Sequence, residues 1–280
     1  MSNKPRDEDA LLPELLRHPL EAPSVFTPKD LLDAVRLERG LLDEPVPQVC
    51  ILEFDGDLTD WLVAKGMATS WPSWACFHTR MYSLNVDGQP VGIVARTIGG
   101  PYAVLIAEQL AASGAQIILG LTSAGRVSPD LPIPSLVLAQ SAVRDEGTSF
   151  HYLPPARKVD GDFPLIEQLR NHLSGLSLPI ACGTVWTTDA PYRETAEQLS
   201  RHSSEGVLAV EMQAASLLAF GGARGVRCGV VAYVTNGIGH SSDEQFNKGA
   251  HEIGLALLEA MARGAFAALE ARGGLATVTI

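Results

Sequence analysis

Residues 97–125 read TIGGPYAVLIAEQLAASGAQIILGLTSAG, and this stretch decides the fold class. A glycine corner followed by proline opens an apolar helical run, Gly114 can close that run in a left-handed cap, and an all-apolar strand follows over 115–123. A strand that is apolar on both faces is buried on both faces, which marks a mostly parallel sheet covered by helices. The alternation continues outward from there. Upstream, 47–54 predicts a strand, 56–66 a helix ending at Gly66, and 82–95 a hairpin turning at Asp87-Gly88. Before them Thr27 caps a helix that Pro28 opens, with Leu31, Leu32, Val35 and Leu41 on one side. Downstream, strands over 135–143, 178–186 and 226–235 alternate with helices over 164–173, 192–202, 210–225 and 242–271. There is no repeat of fixed period and no interior linker. The reading is one α/β domain over 25–280, with a mixed, mostly parallel central sheet flanked by helices, preceded by an N-terminal extension over 1–24.

Composition narrows the function classes. Apolar residues are 46% of the 280, which excludes disorder for most of the chain. Lys and Arg number 21 against 32 Asp and Glu, a net charge of −11 with no basic cluster, so a nucleic-acid partner is excluded. A small anion is still allowed, because a local site can be positive on a negative protein. Acidic residues stand where a signal peptide needs an apolar core, and the uncharged run over 109–125 is broken by Ser, Gly and Gln, so no membrane span is expected. Cys50, Cys76, Cys182 and Cys228 form no CxxC and read as inert thiols of a cytoplasmic protein. No His/Cys/Asp/Glu motif has metal-ligand spacing, so no metal or other cofactor is expected.

Ligands of α/β sheets collect at the carboxyl ends of strands. Four such ends carry small or polar residues here: Gly56-Asp57, the run over 121–127, the run over 187–194, and the run over 235–244. Each alone reads as a turn, but four together point to a site where backbone N–H groups approach an anion. IGGP is not a GxGxxG, which argues against a dinucleotide fold. His240 in the last run reads either as a lid residue or as an exposed one.

Those strand ends carry a resemblance. Gly56-Asp57, Gly99-Gly100-Pro101, Thr122-Ser123-Ala124-Gly125, RDEGTSFHY over 144–152, Thr188-Asp189-Ala190-Pro191-Tyr192, VEMQAA over 210–215 and Val234-Thr235-Asn236 keep the order and spacing of a known family. The chain resembles the nucleoside phosphorylases, which include uridine phosphorylase, hexameric purine nucleoside phosphorylase and the methylthioadenosine nucleosidases. The resemblance implies their three-layer sandwich and cleavage of an N-glycosidic bond, with a small-molecule nucleoside as substrate and phosphate as co-substrate. It further implies a homo-oligomer, dimer or hexamer, working in nucleotide salvage.

By the same resemblance Met212 packs on the ribose, Glu211 is a further substrate-binding residue, and Gln213 replaces the Glu that grips the hydroxyls. Asp189, Pro191 and Tyr192 line the base pocket, and Asn236 faces the base. Thr122, Ser123 and the N–H of Gly56 contact phosphate. Four departures stand against the family pattern: Asp60 in place of a phosphate-gripping arginine, Gly120 in place of a second, Gln213 for Glu, and Asn236 for the purine-type acid or the uridine-type arginine. Each lost charge-assisted contact is worth about 1.5–3 kcal/mol. Arg96 and Arg126 are candidates to replace the lost charge, Arg193 is a candidate to hold a base carbonyl, and His78 and Arg80 stand near positions that the family sends into a neighbouring subunit's site. Phosphorolysis leads; hydrolysis by water and a catalytically silent nucleoside-binding protein are the alternatives.

Overall fold

The computed structural model describes residues 14–237 and 250–275, with side chains through 271. The first half runs α1 (Pro28–Arg39), β1 (Val49–Glu53), α2 (Asp57–Ala64), β2 (Ala68–Ser70), β3 (Met81–Val86), β4 (Gln89–Ala95), α3 (Gly100–Ala112) and β5 (Ile117–Arg126). The second half runs β6 (Ser135–Asp145), β7 (Lys158–Asp160), α4 (Phe163–Leu173), β8 (Ile180–Thr188), α5 (Ala196–Ser204), β9 (Val207–Glu211), α6 (Ala214–Arg224), β10 (Arg227–Gly237) and α7 (His251–Leu275).

β5 organises the sheet. Its first half pairs in parallel with β1 on one side and with β10 on the other. Beyond β1 the sheet continues through β4, β3 and β2 as a wing. Beyond β10 it continues through β6, β8 and β9, and β9 returns to pair with the end of β5 at Gly125–Val210 and Arg126–Ala209. Five strands therefore close into a ring within the sheet. The central pairings β4–β1–β5–β10 and β6–β8–β9 are parallel; the flanks and the ring's two joints are antiparallel.

Helices cover both faces. α3 and α6 pack Ile106, Leu110, Leu217 and Phe220 against one face, while α2, α4 and α7 bring Leu62, Leu169, Met261 and Phe266 to the other. Each large side chain buried in this way contributes about 1.5–3 kcal/mol. α1 rests beside α3 and is set by local chemistry: the Asp30 N–H donates to Thr27 Oγ1 at 3.2 Å, and the Thr27 N–H donates to the Asp30 carboxylate at 3.0 Å. All four cysteines are free, and burial pushes the Cys50 and Cys228 thiols up. No helix among the described residues is long and apolar enough to cross a membrane.

Two expected helices are corrected. The run over 210–225 begins as strand β9, because the Glu211 carboxylate accepts the Gln213 and Ala214 N–H groups and so ends one element and caps the next. The helix expected from 192 starts only at Ala196, where Thr195 and Gln198 form a capping box; Pro191–Arg193 is a 3₁₀ turn. The closing helix is described from His251, and 242–249 lie outside the described residues. Of the N-terminal extension, residues 14–24 carry the short turn Glu14–Leu16 and lay His18 against His151, with ring centroids 3.8 Å apart.

Candidate functional site

Ring closure brings distant strand ends side by side. Gly125 pairs with Asn236 on one side and Val210 on the other, so the ends of β5, β10 and β9 meet. The Thr122 hydroxyl consequently lies 3.3 Å from Gln213 Oε1, across 91 residues of sequence. Gln213 Oε1 also accepts the Met212 N–H at 3.2 Å, which fixes the carboxamide beside the half-buried Met212. β8 adds Thr187, paired with Glu211.

Glu211 sits beneath this group. Its carboxylate accepts from Thr187 Oγ1 at 2.5 Å, the Gln213 N–H at 2.6 Å and the Ala214 N–H at 2.8 Å. Those donors favour the ionised form, but complete burial outweighs them, helped by the nearby Glu146 carboxylate, and the group is pushed up to about 7. Burial likewise raises Asp189, whose Oδ2 accepts the Gly147 N–H at 2.8 Å.

The groups expected to hold an anion are engaged within the chain. The Gly56 N–H donates to Glu53 Oε1 at 2.7 Å, and Thr59 donates to Glu53 Oε2 through both its N–H and its hydroxyl. Ser123 donates its hydroxyl to Asp55 Oδ1 at 2.9 Å and its N–H to Asp55 Oδ2 at 3.2 Å. Arg96 lies over Gly56, whose left-handed φ of 88° and lack of a Cβ make room for it, and forms a two-point ion pair with Asp60. At Gly120 a side chain would start 2.9 Å from the Phe54 ring, so a buried aromatic holds the space of the missing arginine.

Among the described residues, Glu53, Asp55 and Asp57 each bring a carboxylate oxygen within 4.8 Å of the others, a cluster no sequence motif announced. They line a cavity of about 60 Å³ together with Thr122, Ser123, Tyr233, Thr235 and His251. His251 stacks on Trp61, with ring centroids 5.5 Å apart, and stands 3.7 Å from Asp57. Glu53 was legible as the one charge in an otherwise apolar strand. Asp55 adjoins the quoted Gly56-Asp57, and His251 has no local signal at all.

The remaining expected residues fall elsewhere. Asp189 and Arg193 line a second cavity of about 170 Å³ with Asp145, Trp186 and Thr188. Tyr192 is 100% exposed, so among the described residues it lines no pocket wall. His78 and Arg80 are exposed on the loop before β3, where the Tyr102 hydroxyl donates to the His78 carbonyl at 3.5 Å. Arg126 is half-buried at the end of β5. Arg144 is structural: it donates to Ser149 Oγ and to the carbonyls of Leu153 and Pro154, which staples the turn that follows β6. His240 lies outside the described residues.

This arrangement of strand ends around a ring defines a class: the chain matches the phosphorylase superfamily over residues 49–266 and belongs to it. Guanosine phosphorylase of Halorubrum lacusprofundi is 26% identical over 155 residues, covering 55% of this chain and 64% of that protein. Uridine phosphorylase of Treponema pallidum is 29% identical over 156 residues, covering 52% of this chain and 60% of the relative. Uridine phosphorylase of Klebsiella aerogenes is 26% identical over 218 residues, covering 72% and 76%. The chain thus spans less than two thirds of the length of the first two relatives.

Proposed function

We propose that the protein cleaves the N-glycosidic bond of a nucleoside at the joined ends of β5, β9 and β10, by phosphorolysis. In this reaction the C1′–N bond breaks, the base departs with the bonding pair and takes up a proton, and a phosphate oxygen forms the new C1′–O bond. The products are free base and ribose 1-phosphate. The observation that carries the reading is the contact between Thr122 and Gln213, two residues matched to the family's phosphate and ribose positions. Gln213, whose Oε1 is engaged by Thr122 and the Met212 N–H, offers its carboxamide NH₂ to the ribose hydroxyls, with Met212 beneath the sugar. Asn236 hydrogen-bonds the base but has no proton to give it, so the leaving base takes its proton from solvent. The protein works without a cofactor, as a cytoplasmic homo-oligomer in nucleoside salvage, with His78 and Arg80 presented to a neighbouring copy.

A second reading, hydrolysis by water, is favoured by the pairing of Ser123 with Asp55 and of Arg96 with Asp60. Product analysis on a nucleoside panel with and without phosphate decides between them. Phosphorolysis requires ribose 1-phosphate and a rate that climbs with phosphate. Free ribose at a rate indifferent to phosphate establishes hydrolysis, and absence of cleavage across the panel removes both.

A further inference from the structure

We propose that Asp55 is an internal competitor for the anion of this site and thereby sets whether phosphate or water attacks the sugar. The choice of attacking group rests on the glycosidic reading above; the competition for the anion position does not. Ser123 presents a hydroxyl and a backbone N–H from the end of β5, two donors aimed at a single acceptor group. Such paired donors suit two oxygens of a phosphate, and here they meet the two oxygens of one carboxylate, at 2.9 and 3.2 Å. The remaining neighbours act in the same direction. Glu53 and Asp57 bring further carboxylate oxygens to within 4.8 Å, and the Arg96 guanidinium above the loop is shared with Asp60. Phe54 fills the space at Gly120 from which an arginine would otherwise compensate. One short segment, residues 53–60, from the end of β1 into the first turn of α2, therefore both supplies the carboxylate and removes the cations.

An incoming phosphate has to displace Asp55 from Ser123 against like charge, whereas a neutral water enters without that conflict. Asp55 acts on the nucleophile through Ser123 and is a specificity residue for that choice. A carboxylate that merely fastened the loop would be replaceable without changing which nucleophile is used.

The test titrates inorganic phosphate, at ionic strength balanced with chloride, into the unmodified protein, Asp55→Asn and Asp55→Ser, with binding read by calorimetry. Asn keeps the shape of the side chain, so the comparison survives a loop that does not tolerate Ser. The expected result is a phosphate Kd lower by at least about tenfold in Asp55→Ser, and a smaller gain in Asp55→Asn. The ratio of ribose 1-phosphate to free ribose at fixed phosphate rises in parallel. Adding Ser123→Ala to Asp55→Ser removes the gain. An unchanged Kd in both single variants, or a gain that survives Ser123→Ala, overturns the proposal. If no form cleaves a nucleoside, the glycosidic reading falls while the Kd values still decide the role of Asp55.

Discussion

Glu211→Gln should abolish a large pH dependence of stability. The carboxyl is fully buried and moves from an ordinary 4.5 to about 7, because desolvation outweighs three donated hydrogen bonds. At 1.36 kcal/mol per pH unit, that displacement is worth about 3 kcal/mol. The sign follows from which state holds the proton. Below pH 4.5 both folded and unfolded chains hold it, and the contribution is fully present. Between 4.5 and about 7 the unfolded chain has lost the proton while the folded one keeps it, so stability falls as pH rises, and above about 7 the loss is complete. Glutamine keeps the shape: its oxygen can accept the Gln213 and Ala214 N–H groups while its NH₂ faces Thr187 Oγ1. Urea unfolding of both proteins from pH 4.5 to 8 isolates the residue, since Glu53, Asp189 and Glu194, which burial also raises, contribute to both curves. The gap between the curves should shift by about 3 kcal/mol against the unmodified protein across that window. Parallel curves would refute the argument.

Gly120→Arg should not rebuild an anion site: its Cβ starts 2.9 Å from the Phe54 ring, and the overpacking costs at least about 1–3 kcal/mol, read from the urea midpoint. Tyr192→Ala should leave stability within about 0.5 kcal/mol in thermal denaturation and leave KM for the nucleoside unchanged, because the side chain is wholly exposed and lines no cavity wall among the described residues. A raised KM would place Tyr192 against the base.

The strands were legible because they are apolar throughout and punctuated by glycine; β5, β6, β8 and β10 fall within a few residues of their expected bounds. β9 was hidden because VLAVEMQAASLL is mostly apolar from end to end, with no Gly or Pro to separate a short strand from the helix that follows. β2 and β7, three residues each, exist only through their partners. In the site, Thr122 and Asn236 were legible as polar residues towards the ends of apolar strands, and Gln213 only through the resemblance carried by VEMQAA. The pairs that alter its chemistry were not. Asp55 with Ser123 and Phe54 with Gly120 join residues more than 60 positions apart, and such contacts have no periodicity to betray them. Nor did the sequence show that Tyr192 faces solvent.

The ring has a consequence for how the molecule assembles. Its seam between β5 and β9 is two residue pairs long, against the ten that join β5 to β10. Closing such a seam requires the long stretch from β6 to α5 to be brought round first, a closure that costs entropy before two residue pairs can repay it. Gln213 and Glu211 lie just beyond it and Thr122 just across it. A chain that has formed its sheet but not this seam holds no site, and a ligand bound there stabilises the joined state.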